Sequence, residues 1–176
     1  SDKQIVWLKT GLPKEKYLAK VTRSPDDKSI DIAELNRGED TFRLVRYSAV
    51  TGERESELFV EVNERYVEPQ EPVLFLPEHP EQFIWQSQRD GYNHLYLYNT
   101  DGKMLRQLTT GRWVVKEVLG FDNRGNNLFF MTTAPRDVRY TDEGSPLETY
   151  VWKLNIKNGT RKCLNLKKGV HRVRLS

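Results

Sequence analysis

Short apolar runs alternate with polar turns along the whole chain, and each run has the length of a strand. Runs of roughly four to eight residues rich in branched and aromatic side chains, bounded by Gly, Pro, Asn, Asp or Ser, read as β-strands. Three hairpins follow one plan. Phe42-Arg43-Leu44-Val45-Arg46-Tyr47 turns at Thr51-Gly52 and returns through Leu58-Phe59-Val60. Leu95-Tyr96-Leu97-Tyr98 turns at Asp101-Gly102 and returns through Met104-Leu105-Arg106-Gln107-Leu108. Tyr150-Val151-Trp152-Lys153-Leu154 turns at Asn158-Gly159 and returns through Cys163-Leu164. Asp-Gly and Asn-Gly are strong hairpin signals, because Gly accepts the positive φ of a tight turn. The turn glycines recur at intervals of 50 and 57 residues.

The strand ahead of each hairpin recurs too: Ser29-Ile30-Asp31-Ile32-Ala33, Gln82-Phe83-Ile84-Trp85-Gln86-Ser87 and Asn127-Leu128-Phe129-Phe130-Met131. A polar turn precedes each, and another apolar run precedes each turn: Tyr17-Leu18-Ala19-Lys20-Val21, Val73-Leu74-Phe75-Leu76 and residues 114–121. No helix of useful length is visible. Each unit thus holds four strands, and four-stranded units of about 40–50 residues are the sequence signature of propeller blades. A β-sandwich also presents many short strands, but they need not recur in sets of four. The reading is all-β: a partial β-propeller of about three four-stranded antiparallel blades, at 14–66, 67–112 and 113–168 of one domain. The flanks 4–9, with Ile5-Val6-Trp7-Leu8, and 170–175 read as strands of neighbouring blades, so the chain reads as cut from a larger ring.

Composition narrows the function classes. Of 176 residues, 37% are hydrophobic and 30% charged, which suits a soluble domain with a sizeable core. The net charge of +3 is too small and too evenly spread to argue for nucleic acid. The basic ending (Lys162, Lys167, Lys168, His171, Arg172, Arg174) reads as one solvated strand face. No run approaches the roughly 18 apolar residues of a membrane span. The chain opens Ser1-Asp2-Lys3 without a signal peptide, and that start carries no information about export. Cys163, the single cysteine, excludes an intrachain disulfide and reads as a small apolar strand residue.

Phe83-Ile84-Trp85-Gln86-Ser87-Gln88-Arg89-Asp90-Gly91-Tyr92-Asn93-His94-Leu95-Tyr96-Leu97-Tyr98 resembles the propeller of the dipeptidyl peptidase IV family. So does the continuation through Asp101-Gly102, Leu105-Arg106-Gln107-Leu108-Thr109, Gly111 and Trp113. Residues 17–21 and Leu35-Asn36-Arg37 fit the same family. Related propellers, including prolyl oligopeptidase relatives and TolB-like proteins, share much of the central unit. The resemblance implies a serine peptidase that releases N-terminal Xaa-Pro or Xaa-Ala dipeptides from a peptide substrate. It implies a C-terminal α/β-hydrolase domain in the same chain, carrying the Ser, Asp and His. The propeller would gate and shape substrate access, and the protein would be exported, periplasmic or at the cell surface. The alternative is a TolB-like periplasmic propeller that docks partners and has no hydrolase.

Catalytic residues are not expected within this chain. The nucleophile elbow Gly-x-Ser-x-Gly is absent, and Gly144-Ser145-Pro146 reads as a polar loop. The adjacent glutamates with which the family grips a substrate amine are absent as well. His79, His94 and His171 lack ligand spacing, so neither a metal nor a cofactor is expected. His94 reads as the maker of a structural hydrogen bond. Trp85 and Trp113 read as packing between blades. In Arg89-Asp90-Gly91-Tyr92, Asp and Gly build a turn, Arg89 pairs locally and Tyr92 packs. One substrate-binding residue is named: Tyr66, in Glu64-Arg65-Tyr66-Val67-Glu68, near which a family segment approaches the substrate pocket. Exposed blade faces predict that the chain self-associates.

Overall fold

The computed structural model describes residues 5–64, 67–133 and 148–164. Twelve strands in chain order form three separate antiparallel sheets of four among these residues. The first holds β1 (Lys16–Arg23), β2 (Ser29–Asn36), β3 (Thr41–Ser48) and β4 (Arg54–Val62). The second holds β5 (Leu74–Phe75), β6 (Gln82–Ser87), β7 (His94–Asn99) and β8 (Met104–Gln107). The third holds β9 (Val115–Phe121), β10 (Asn127–Thr132), β11 (Tyr150–Asn155) and β12 (Arg161–Cys163). Each sheet is an up-and-down meander in sequence order, and the one helical turn is the 3₁₀ piece Pro13–Glu15.

The second sheet is the filling of a stack. Successive strand side chains point to opposite faces, and β6 and β7 are apolar on both. Phe83, Trp85, Tyr96 and Tyr98 meet Phe42, Leu44 and Leu58 of the first sheet. Ile84, Leu95 and Leu97 meet Val115, Leu128, Phe130, Trp152 and Leu154 of the third. That is why the run Phe83 to Ser87 lacks polar alternation: all five residues are buried. Trp113 joins the second core and Cys163 packs against it, both as packing residues.

Aromatic stacking marks the joint between the first two sheets. Phe42 and Trp85 lie nearly parallel with centroids 4.9 Å apart, and Phe59 stacks on Tyr98 at 4.6 Å. Such pairs add about 0.5–1.5 kcal/mol beyond the area they bury. The hairpin glycine Gly102 (φ +89°) sits so close to the Leu58 carbonyl that a Cβ would overlap it.

The outer face of the first sheet carries Ile32, Val45 and Tyr47, with Leu8 packed against them. The segment expected as a flanking strand of a neighbouring blade runs along this side. Residues 5–9 join no ladder, because no strand lies beside them among the described residues. The Lys9 N–H donates to the Gly52 carbonyl at 2.8 Å, while Ile5 and Trp7 are largely exposed. The Trp7 carbonyl crowds Gly52 (φ +75°) as the Leu58 carbonyl crowds Gly102. Relative to the first sheet, Trp7 stands where an outer strand of a preceding blade would stand. The flank at 170–175 lies outside the described residues.

Candidate functional site

The connection from the first sheet to the second carries Tyr66, which lies outside the described residues. Its two anchors are described. Asn63 N–H donates to the Asp40 carbonyl at 3.0 Å, and Val67 N–H donates to the Glu39 carbonyl at 2.8 Å. Both anchors are on the β2–β3 turn, which the Asn36 side chain holds rigid. Its Oδ1 accepts from the backbone N–H of Asp40 and Thr41, and its Nδ2 donates to Asp40 Oδ1 at 2.8 Å. Hydrogen bonds from Asn36 and then Thr41 hold the Asp40 carboxyl below the usual carboxylate range. Val67 is buried in the core between the first and second sheets.

Beside this connection a polar network crosses between the same two sheets. Glu61, on β4, accepts from the Ser87 hydroxyl and, at 3.4 Å, from the Trp85 indole N–H. Arg89 donates to Ser87 Oγ at 2.9 Å, to the Tyr98 hydroxyl at 2.6 Å and to Glu61 at 3.1 Å. Its guanidinium also lies 4.4 Å from the centre of the Tyr96 ring. Burial is the first cause that pushes the Tyr96 and Tyr98 hydroxyls above their ordinary pKa, so both stay neutral donors and acceptors. Gln107 completes the rim, donating to Asp90 at 2.7 Å and to Tyr96 at 3.1 Å.

The sequence reading of this turn holds for Arg89 and is refined for Tyr92. Arg89 pairs locally, but it also reaches the preceding sheet through Glu61. Tyr92 is 37% exposed and rests its ring 6.4 Å from that of His94 without entering a core. The sequence reading missed Glu61. Its signal was a carboxylate two residues after the aromatic Phe59, on the half-buried end of a strand whose earlier glutamates, Glu55 and Glu57, are exposed. The Ser87 hydroxyl donates to Glu61 while accepting from Arg89, so it serves as a structural link.

His94 opens β7, fully buried, and makes the structural hydrogen bonds expected of it. Nε2–H donates to the Gly111 carbonyl at 3.0 Å, which leaves Nδ1 to accept from the Thr109 hydroxyl at 3.1 Å. Trp113 meets the ring edge-on at 4.9 Å. Burial pushes the imidazole below its ordinary pKa and favours the neutral ring. His79 sits apart, on an exposed turn, 3.1 Å from Glu81. Among the described residues no three His, Cys, Asp or Glu side chains gather as a metal ion would need. Gly144-Ser145-Pro146 lies outside the described residues.

With this geometry in view, comparisons with known proteins place the chain. Residues 1–176 match the family described as the dipeptidyl peptidase IV (DPP IV) N-terminal region. A protein assigned as a dipeptidyl aminopeptidase IV from Bacteroides ovatus is 35% identical, with a TM-score of 0.78 over 88% of this chain and 23% of its own. Dipeptidyl peptidase 4 from Porphyromonas gingivalis is 24% identical, with a TM-score of 0.71 over 88% of this chain and 20% of its own. A protein assigned as TolB from Agrobacterium tumefaciens shares the fold at 18% identity, with a TM-score of 0.58 over 91% of this chain and 52% of its own. The chain spans about a quarter or less of the two dipeptidyl peptidases it matches. Three stacked four-stranded sheets and a match over every residue lead to one conclusion: this chain belongs to the dipeptidyl peptidase IV N-terminal region family.

Proposed function

We propose that the chain is a non-catalytic propeller segment of a dipeptidyl peptidase IV-like serine peptidase that releases Xaa-Pro or Xaa-Ala dipeptides. In this reading the propeller gates and shapes substrate access to a C-terminal α/β-hydrolase domain of the same chain. The observation that carries it is the family match over residues 1–176 on a stack of four-stranded sheets. The missing Gly-x-Ser-x-Gly supports placing the nucleophile elsewhere. Tyr66 would line an extended subsite, its segment held at both ends by the rigid Asn36–Thr41 turn. Export to the periplasm or cell surface rests on kinship alone, and cell fractionation tests it. Self-association through blade faces is supported by the exposed Ile5, Trp7 and Val21, and a chain that sediments as a monomer refutes it.

The deciding experiment is release of chromophore from a Gly-Pro chromogenic substrate by the intact protein and by this chain in parallel. The intact protein should cleave and the chain should not. Tyr66→Ala in the intact protein should raise KM for tetrapeptides more than for the chromogenic dipeptide. An intact protein that cleaves neither substrate would refute the peptidase reading. Cleavage by the chain alone would place a nucleophile within these residues.

A further inference from the structure

At the strand ends opposite the Tyr66 connection, a cleft of about 570 Å³ opens between the second and third sheets. Its size is within the roughly 300–1,000 Å³ of small-molecule sites. Buried Leu76, Leu97 and Ile156 contribute an apolar lining. Three charges surround it: Glu78 on the β5–β6 turn, Arg106 on β8 and Lys157 on the β11–β12 hairpin. They carry both signs, yet none of the ion pairs among the described residues involves them.

Opposite charges around one concave surface of mixed polar and apolar lining, with no ion pair among them, match a ligand that carries both signs itself. We propose that this cleft binds a zwitterionic dipeptide with apolar side chains. The free ammonium is held by Glu78, the free carboxylate by Arg106 and Lys157, and an apolar side chain rests on Leu76, Leu97 and Ile156. A simple aliphatic anion would leave Glu78 unmatched, and a cation would leave the two basic groups unmatched. The inference stands on the cleft and not on the peptidase reading.

The test uses the intact protein with its reactive serine, if it has one, first blocked by diisopropyl fluorophosphate. Binding of Leu-Leu, N-acetyl-Leu-Leu and Leu-Leu amide is measured by titration calorimetry. A dipeptide is not shortened further by an enzyme that releases dipeptides, so the probe survives. Leu-Leu should bind the blocked protein, and each capped form should bind at least about tenfold more weakly, as the loss of a charge-assisted hydrogen bond implies. Glu78→Gln should weaken Leu-Leu about tenfold and leave Leu-Leu bound no better than its N-acetylated form. Arg106→Gln with Lys157→Gln should erase the preference for a free carboxylate. All three residues line an open cleft, so folding should be retained, which the melting temperature checks. No binding of Leu-Leu to the blocked wild type, or equal affinity in all variants, would overturn the proposal. A protein with no serine to block still tests the cleft, so failure of the peptidase reading and failure of this one are separable.

Discussion

Replacing Arg89 with Ala removes one side chain from four partners at once: Ser87, Tyr98, Glu61 and the face of Tyr96. Glu61, with its side chain only 10% exposed, keeps the neutral donors Ser87 and Trp85 but loses its countercharge. A hydrogen bond to a charged group contributes about 1.5–3 kcal/mol net. Arg89 is 28% exposed, so solvent takes part of that. The expected loss is about 2–3 kcal/mol for Arg89→Ala and about the same for Glu61→Ala. Both variants delete the same ion pair, so the double variant should fall short of the sum by about 1–2 kcal/mol. Arg89→Lys should recover little, because a point charge cannot reach Ser87, Tyr98 and Glu61 together. Urea titrations of the four proteins, followed by near-ultraviolet circular dichroism, give the cycle. A sum additive within about 0.3–0.5 kcal/mol would refute the coupling across the two sheets. A cost for Arg89→Ala of under about 0.5 kcal/mol would class it as an ordinary surface residue.

Two further outcomes are expected. Burial lowers the His94 pKa on folding, so the unfolded chain binds the proton more readily; the stabilisation from the neutral ring is full above about pH 6.5 and declines as pH falls below that. Urea midpoints between pH 8 and pH 5 should therefore fall towards acid, and His94→Gln should flatten that slope; an unchanged slope would show that another group titrates. Ala at Gly102 meets both a positive φ and the Leu58 carbonyl, whereas Ala at Gly91 (φ +93°) meets only the φ, with open space around it. Gly91→Ala should cost about 1–2 kcal/mol and Gly102→Ala about 2–5, read as melting-temperature shifts; equal shifts would mean that the second hairpin does not press on β4.

The sequence by itself determined the strands, the turns and the recurrence of four. These are local properties: side-chain alternation, the β-preference of aromatic residues, and glycines that must take positive φ at residues 52, 102 and 159. It also marked Trp85, Trp113 and His94 as structural, since large aromatics and a histidine at a strand start are readable from their own neighbours. Only the tertiary structure decided which faces meet. The apolar run of β6 is buried on both sides because a sheet covers each face, a fact that lies 40 or so residues away in either direction. The Glu61–Arg89 pair spans 28 residues and two sheets, so neither residue announces the other. Tyr92, expected to pack, is 37% exposed, on a turn with open space around Gly91. The cleft draws its charges from Glu78, Arg106 and Lys157, on three separate elements. Secondary structure follows from a residue's nearest neighbours, but electrostatic partners and cavities follow from where the stacking of whole sheets brings distant turns together.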